Sequence, residues 1–112
     1  MLKIDMEPTR GVLCIRLSGK LNKNNTSKLS KEVLELLKKA KVKNIVLNIK
    51  NLDYIDSYGK KAIVKSILIC QANKGSSFLC LNDNQKEKLK LEKVIGLKLI
   101  SDELKAINLI NS

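Results

Sequence analysis

The fold is decided between Asn44 and Asn73, NIVLNIKNLDYIDSYGKKAIVKSILICQAN. Asn44-Ile45-Val46-Leu47-Asn48-Ile49 is a short, nearly continuous apolar run, the pattern of a central strand covered on both faces. From near Ser57 to about Asn73 the apolar residues recur at helical spacing instead. A helix there would bury Ile63, Ser66, Ile67 and Cys70, with Ala62, Ile69 and Ala72 widening the stripe. Asn51-Leu52-Asp53-Tyr54-Ile55-Asp56 reads as the connecting loop and Lys74-Gly75 as the helix stop. A strand feeding an amphipathic helix belongs to a parallel sheet with right-handed crossovers.

The flanking segments extend the pattern. Upstream, Val12-Leu13-Cys14-Ile15-Arg16-Leu17-Ser18-Gly19 has strand alternation and composition, and Leu2 to Met6 is a partner strand joined through a turn at Pro8 and Gly11. The polar run Asn22-Lys23-Asn24-Asn25-Thr26 leads into a helix with Leu29, Val33, Leu36 and Leu37 inside and Lys28, Lys31, Glu32, Glu35 and Lys38 outside. Downstream, Ser77-Phe78-Leu79-Cys80-Leu81 is a strand, and Asp83 or Asn84 caps a short helix ending near Lys93. Gly96 precedes a last strand, Leu97 to Ile100, and Ser101-Asp102-Glu103 opens a helix with Leu104, Ile107 and Leu109 apolar. The expected order is ββαβαβαβα: one α/β domain over residues 1–112, with a mixed, mostly parallel sheet of four to five strands flanked by helices.

Composition excludes several functions. The net charge is +11, almost wholly from lysines scattered without a dense basic block. A solvated lysine surface and a face for a nucleic acid, an anionic membrane or an acidic protein both remain open. Tyr54, Tyr58 and Phe78 are the only aromatics, too few and too scattered for a base-stacking platform, so no direct nucleic-acid partner is expected. Histidine is absent and Cys14, Cys70 and Cys80 lack metal-site spacing, so neither a zinc centre nor a histidine-based triad is expected. Each cysteine lies in an apolar run, as core cysteines do. Lysines interrupt every apolar stretch, so no signal peptide or membrane span is expected, and a reduced cytoplasmic setting follows. No Gly-x-Gly-x-x-Gly, Gly-Lys-Ser/Thr loop or nucleophile elbow occurs, and Asp53 and Asp56, three apart in a loop, do not make a catalytic pair. No enzyme is expected, and no cofactor.

The polar candidate lies where the carboxyl ends of parallel strands enter helices. Ser57 sits at the start of the second helix, where unpaired backbone N–H groups point outward. Such a serine is ordinarily an N-cap. The same position also favours a phosphate on its hydroxyl, through those donors and the helix dipole, with Lys60 one turn on.

Four stretches, in the right order and covering nearly the whole chain, resemble the STAS family and specifically its bacterial anti-sigma factor antagonists. They are Ile4-Asp5-Met6 with Val12 through Leu21; Ile45 through Ile49 with Leu52; Tyr54-Ile55-Asp56-Ser57-Tyr58-Gly59, similar to an Asp-Ser-Ser/Ala-Gly signature; and Leu91 through Val94-Ile95-Gly96-Leu97 to Ile100. The resemblance implies partner switching. The antagonist binds an anti-sigma factor that is also a serine kinase and releases a sigma factor. Phosphorylation of the serine after the aspartate, here Ser57, ends the complex, and a PP2C-type phosphatase restores it. It also implies a partner-binding set of Lys20, Asn22, Asn25, Asp56, Ser57, Tyr58, Gly59, Lys60 and Lys61; no membrane partner is expected. Against the family's pattern, Lys20-Leu21-Asn22 replaces Glu-Leu-Asp, Tyr58 replaces the second serine, and Lys60 and Lys61 replace small or apolar residues. These changes make a usually acidic or apolar face basic. A scaffold or sensor subunit that is not phosphorylated is the alternative they raise, beside a basic surface for nucleic acid or anionic membrane.

Overall fold

The computed structural model describes residues 1–91, 93–94 and 96–112, so Ile95 of the closing Gly-Leu segment lies outside the described residues. Strands β1 (Leu2–Thr9) and β2 (Val12–Leu21) precede α1 (Thr26–Leu29), which runs through a π-helical segment, Ser30–Leu34, into α2 (Glu35–Lys39). Then follow β3 (Ile45–Ile55), α3 (Ser57–Ala72), β4 (Ser77–Cys80), α4 (Asp83–Leu89), β5 (Leu97–Ile100) and α5 (Glu103–Ile110). The five strands pair in the order β1-β2-β3-β4-β5. β1 is antiparallel to β2 and every other neighbour is parallel. The order of the elements and the mixed sheet match the sequence expectation.

Each parallel step moves the same way across the sheet, so right-handed crossovers place α1 to α4 on one face. There Ile15, Leu17, Leu47, Ile49 and Leu79 pack with Leu29, Val33, Leu37, Ile63, Ile67 and Leu89. α5 returns over the other face and covers Val12, Cys14, Val46, Phe78 and Cys80 with Ala106 and Ile107. β3 is therefore buried on both sides, as its apolar run requires. All three cysteines are free and buried, and burial pushes Cys70 up to about 11 and Cys80 up to about 12.

Tertiary pairing changes several sequence expectations. Asn51 to Ile55 is not a loop: β3 continues through it, pairing Leu52 with Gly19, Tyr54 with Lys20 and Ile55 with Leu21. Register shifts between Arg16 and Ser18, and again between Gly19 and Lys20, give β3 extra residues there and break its alternation. The hairpin turn is Arg10-Gly11, not Pro8: both have positive φ (51° and 77°), and Pro8 stays in edge strand β1 opposite Leu13. In the first helix the inward residues are Leu29, Val33, Leu34 and Leu37, while Leu36 is 38% exposed. The π-helical segment bonds i to i+5 and departs from α spacing, so Leu34 joins the buried side and Leu36 is left outside.

The remaining corrections are at helix ends. α4 is capped by Asn82 rather than Asp83 or Asn84, in a reciprocal box with Gln85, and stops at Lys90 (φ 49°) before Lys93. α5 buries Ala106 and Ile107 and leaves Leu104 and Leu109 exposed. Glu103 orients it: its carboxylate accepts from Arg16 Nε (3.0 Å) and Nη2 (2.9 Å) and from Asn48 Nδ2 (2.7 Å). Residues three and four beyond Glu103 then face the sheet with it. In α3 the expected stripe of Ile63, Ser66, Ile67 and Cys70 is buried with Ala62, while Ile69 is only partly buried and Ala72 is exposed.

Candidate functional site

The ends of β2 and β3 lie side by side, and their loops enter α1 and α3 at one edge of the helical layer. Asp56 ties them together. Its backbone N–H donates to the Leu21 carbonyl (3.1 Å), and its carboxylate accepts from the N–H of Gly59 (2.8 Å) and the N–H of Lys23 (2.9 Å). Desolvation pushes the Asp56 carboxyl up, but the N–H groups of Gly59, Lys23, Tyr58 and Asp56 itself outweigh it and hold it below its ordinary value.

The cap of α3 is therefore Asp56, and Ser57 is the first helical residue. This revises the N-cap reading of Ser57. Because Asp56 supplies the capping oxygen, the Ser57 hydroxyl is exposed and has no hydrogen-bond partner among the described residues. It stands at the positive end of a 16-residue helix, a position that favours an anion.

Gly59 is buried because α3 starts hard against β2. A Cβ at Gly59 would lie 2.8 Å from the Leu21 carbonyl oxygen, 2.9 Å from Leu21 Cγ and 3.2 Å from Ile55 Cγ2. Tyr58, 48% exposed, lies between two cations, with Lys23 Nζ 5.5 Å and Lys61 Nζ 5.8 Å from its ring centroid. Lys60 donates its backbone N–H to the Asp56 carbonyl (2.9 Å), and its side chain lines the same groove along α3 as Ser57.

The asparagines serve the loop itself. Asn25 Oδ1 accepts from Asn22 N–H (2.9 Å) and Asn25 Nδ2 donates to the Lys20 carbonyl (2.8 Å), while Asn22 Oδ1 accepts from Asn24 N–H (2.9 Å). Their side chains fix where Lys23 sits. Lys20 is held at its backbone by the Met1 carbonyl (3.1 Å), and its exposed side chain forms no hydrogen bond or cation–π contact with Ser57 or Tyr58 among the described residues. Asp56, Ser57, Tyr58, Lys60 and Lys61 thus gather at the start of α3 around the buried Gly59, while Asn22 and Asn25 brace the neighbouring loop.

Sequence reasoning missed the residues that complete this surface. Ser57, Lys60, Lys61, Val64, Lys65 and Leu68 line an open groove of about 530 Å³ along α3. A second cleft of about 340 Å³, between α1 and α3, is lined by Thr26, Ser27, Ser30, Tyr58, Lys61 and Lys65 among others. The signal was present: Ser57, Lys61, Val64 and Leu68 recur at helical spacing on the side of α3 away from its buried stripe.

A five-stranded mixed sheet with α1 to α4 on one face and α5 on the other, and an Asp-Ser pair capping and opening α3, is a STAS architecture. The STAS domain family model matches residues 3–105, and the chain belongs to that family. A curated relative, the anti-sigma F factor antagonist of Paenibacillus polymyxa, is 33% identical over 79 residues, covering 70% of this chain and 68% of its own. Among solved structures, the anti-sigma factor antagonist SpoIIAA in its unphosphorylated form superposes with a TM-score of 0.78 at 19% identity, covering 98% of this chain and 99% of that one. The phosphorylated form of the Bacillus cell fate determinant SpoIIAA gives 0.75 at 19% identity, covering 96% and 99%. These two likenesses concern the fold.

Proposed function

We propose that this chain is an anti-sigma factor antagonist. It binds an anti-sigma factor serine kinase through the surface around Ser57, releases a sigma factor, and is switched off by phosphorylation of Ser57 and reset by a PP2C-type phosphatase. The observation that carries the proposal is the division of labour at the start of α3: Asp56 caps the helix, and the neighbouring Ser57 hydroxyl is left exposed and uncommitted. The name of the Paenibacillus relative supports the same reading.

The physical basis of the switch is local. A phosphate on Ser57 brings nearly two negative charges to the rim of the docking groove. Free in water it is stabilised by the first-turn N–H groups and Lys60; beneath a docked partner it must be desolvated. The unphosphorylated state therefore binds and the phosphorylated state does not. No charge transfer or catalytic group is required of this chain.

The test is incubation with the anti-sigma kinase of the same genome and ATP, with phosphate mapped by mass spectrometry and binding followed by size-exclusion chromatography. Modification at Ser57, absent in Ser57→Ala, and loss of the complex in Ser57→Asp are expected. An unmodified Ser57, with equal kinase binding by wild type and Ser57→Asp, would refute the switch.

A further inference from the structure

The outer side of α3 is unusual in its charge. The helix carries Lys60, Lys61 and Lys65 and no acidic residue. All three lysines line the groove with Ser57, and Val64 and Leu68 supply its apolar part, Leu68 being 50% exposed. Among the described residues none of these lysines forms an ion pair; the three ion pairs there all belong to Arg16, on the face covered by α5. The nearby acid, Asp56, has its carboxylate committed to the N–H groups of Gly59 and Lys23. The groove is therefore an apolar strip rimmed by uncompensated positive charge.

Three kinds of polyanion would answer that charge, and the shape selects among them. Ser57 to Leu68 is twelve residues of helix, eleven rises of 1.5 Å or about 16 Å. A membrane surface calls for a broad apolar face with several large side chains, and this groove has only Val64 and Leu68. A single nucleic-acid strand calls for open aromatic faces, and no aromatic ring lines this groove: Tyr58 has Lys23 and Lys61 over it, and Tyr54 lines a different cleft. A protein segment with a short apolar ridge between carboxylates meets both the strip and its rim.

We infer that the α3 groove docks an amphipathic protein segment whose apolar residues seat on Val64 and Leu68 and whose Asp or Glu side chains pair with Lys60, Lys61 and Lys65. This takes from the preceding section only that α3 is the docking face, and it assigns the partner an acidic contact surface. A phosphate on Ser57 then acts twice: it repels those carboxylates and draws Lys60 away from them.

Two designed helical peptides with the same apolar stripe test it, one flanked by Glu and the other by Lys, with binding read by fluorescence anisotropy and mapped by backbone amide shifts. The Glu peptide is expected to bind with shifts centred on Lys61, Val64 and Leu68. Its affinity should fall about tenfold between about 0.05 and 0.3 M salt as the pairs are screened. Binding should also fall at least tenfold in the Lys60→Gln, Lys61→Gln, Lys65→Gln triple variant, whose substitutions keep the helix propensity and whose fold is checked by circular dichroism. The Lys peptide should not bind. Equal binding of both peptides, binding of neither, or shifts away from α3 overturn the inference. So does preferential binding to phosphatidylserine–phosphatidylcholine vesicles or to a single-stranded oligonucleotide. The kinase experiment above is independent: a Ser57 switch that survives failure of the peptides leaves the antagonist reading standing, and the converse result leaves the acidic-partner assignment standing.

Discussion

Gly59→Ala gives the sharpest test of how α3 is seated. In an isolated helix this change is favourable by up to about 1 kcal/mol, because alanine loses less backbone entropy. Here the added methyl would meet the Leu21 carbonyl oxygen at 2.8 Å and Leu21 Cγ at 2.9 Å. Neither gives way easily. The carbonyl accepts the Asp56 N–H at 3.1 Å, and Leu21 is wholly buried. Overpacking of this kind costs about 1–3 kcal/mol, and loss of the Asp56 bond would add about 1 kcal/mol. The net expectation is a destabilisation of about 1–3 kcal/mol, a fall in Tm of roughly 4–12 °C for a chain of this size. Urea unfolding should show a lower midpoint with an unchanged m-value. Ser57 docking should also weaken, since α3 must shift away from β2. A Gly59→Ala protein as stable as wild type, or more so, would refute the close seating of α3 on the end of β2.

Two further expectations follow from the packing. Leu34→Ala should cost about 2–4 kcal/mol in urea unfolding because it empties a buried position, whereas Leu36→Ala should cost under about 1 kcal/mol; the reverse order would place the first helix in a regular α phase. The hold on α5 should depend on pH. The Arg16 side chain, first through its hydrogen bonds, holds the Glu103 carboxyl below its ordinary 4.5 against desolvation, with Asn48 assisting. A lowered folded value means that this stabilisation is complete above about pH 4.5 and is lost as pH falls through the folded value. Glu103→Gln should therefore lower stability at pH 7 and flatten the acid limb of the stability–pH curve, and an unaltered acid limb would contradict the assignment.

Much of this was legible without coordinates because it is local. Ile45 to Ile49 is apolar at every position but Asn48, and a chain segment of that length has few uses other than a covered strand. The buried stripe of α3 repeats at helical spacing and came out nearly residue for residue. The Asp-Ser-x-Gly motif marked the right loop for the same reason, since capping chemistry is confined to a few neighbouring residues. Helical spacing put Ser57 and Lys61 on the side of α3 away from its buried stripe, but did not show the groove they line.

What the sequence alone determined, then, is the order of elements, the central strand and the loop that carries Ser57. The tertiary structure decided which oxygen caps α3, because Asp56 is chosen by its distances to Gly59 and to Lys23 in another loop. It decided that Asn51 to Ile55 is strand, because bulges hide the alternation and only pairing with β2 reveals it. It decided that Leu34 and not Leu36 is core, because the π-helical segment departs from α spacing and sets Leu34 against α3. It also decided that Ser57, Lys60, Lys61, Val64, Lys65 and Leu68 make one groove while every ion pair of the described residues lies on the opposite face. Each of these depends on groups brought together from different elements, and periodicity within one segment carries no record of them.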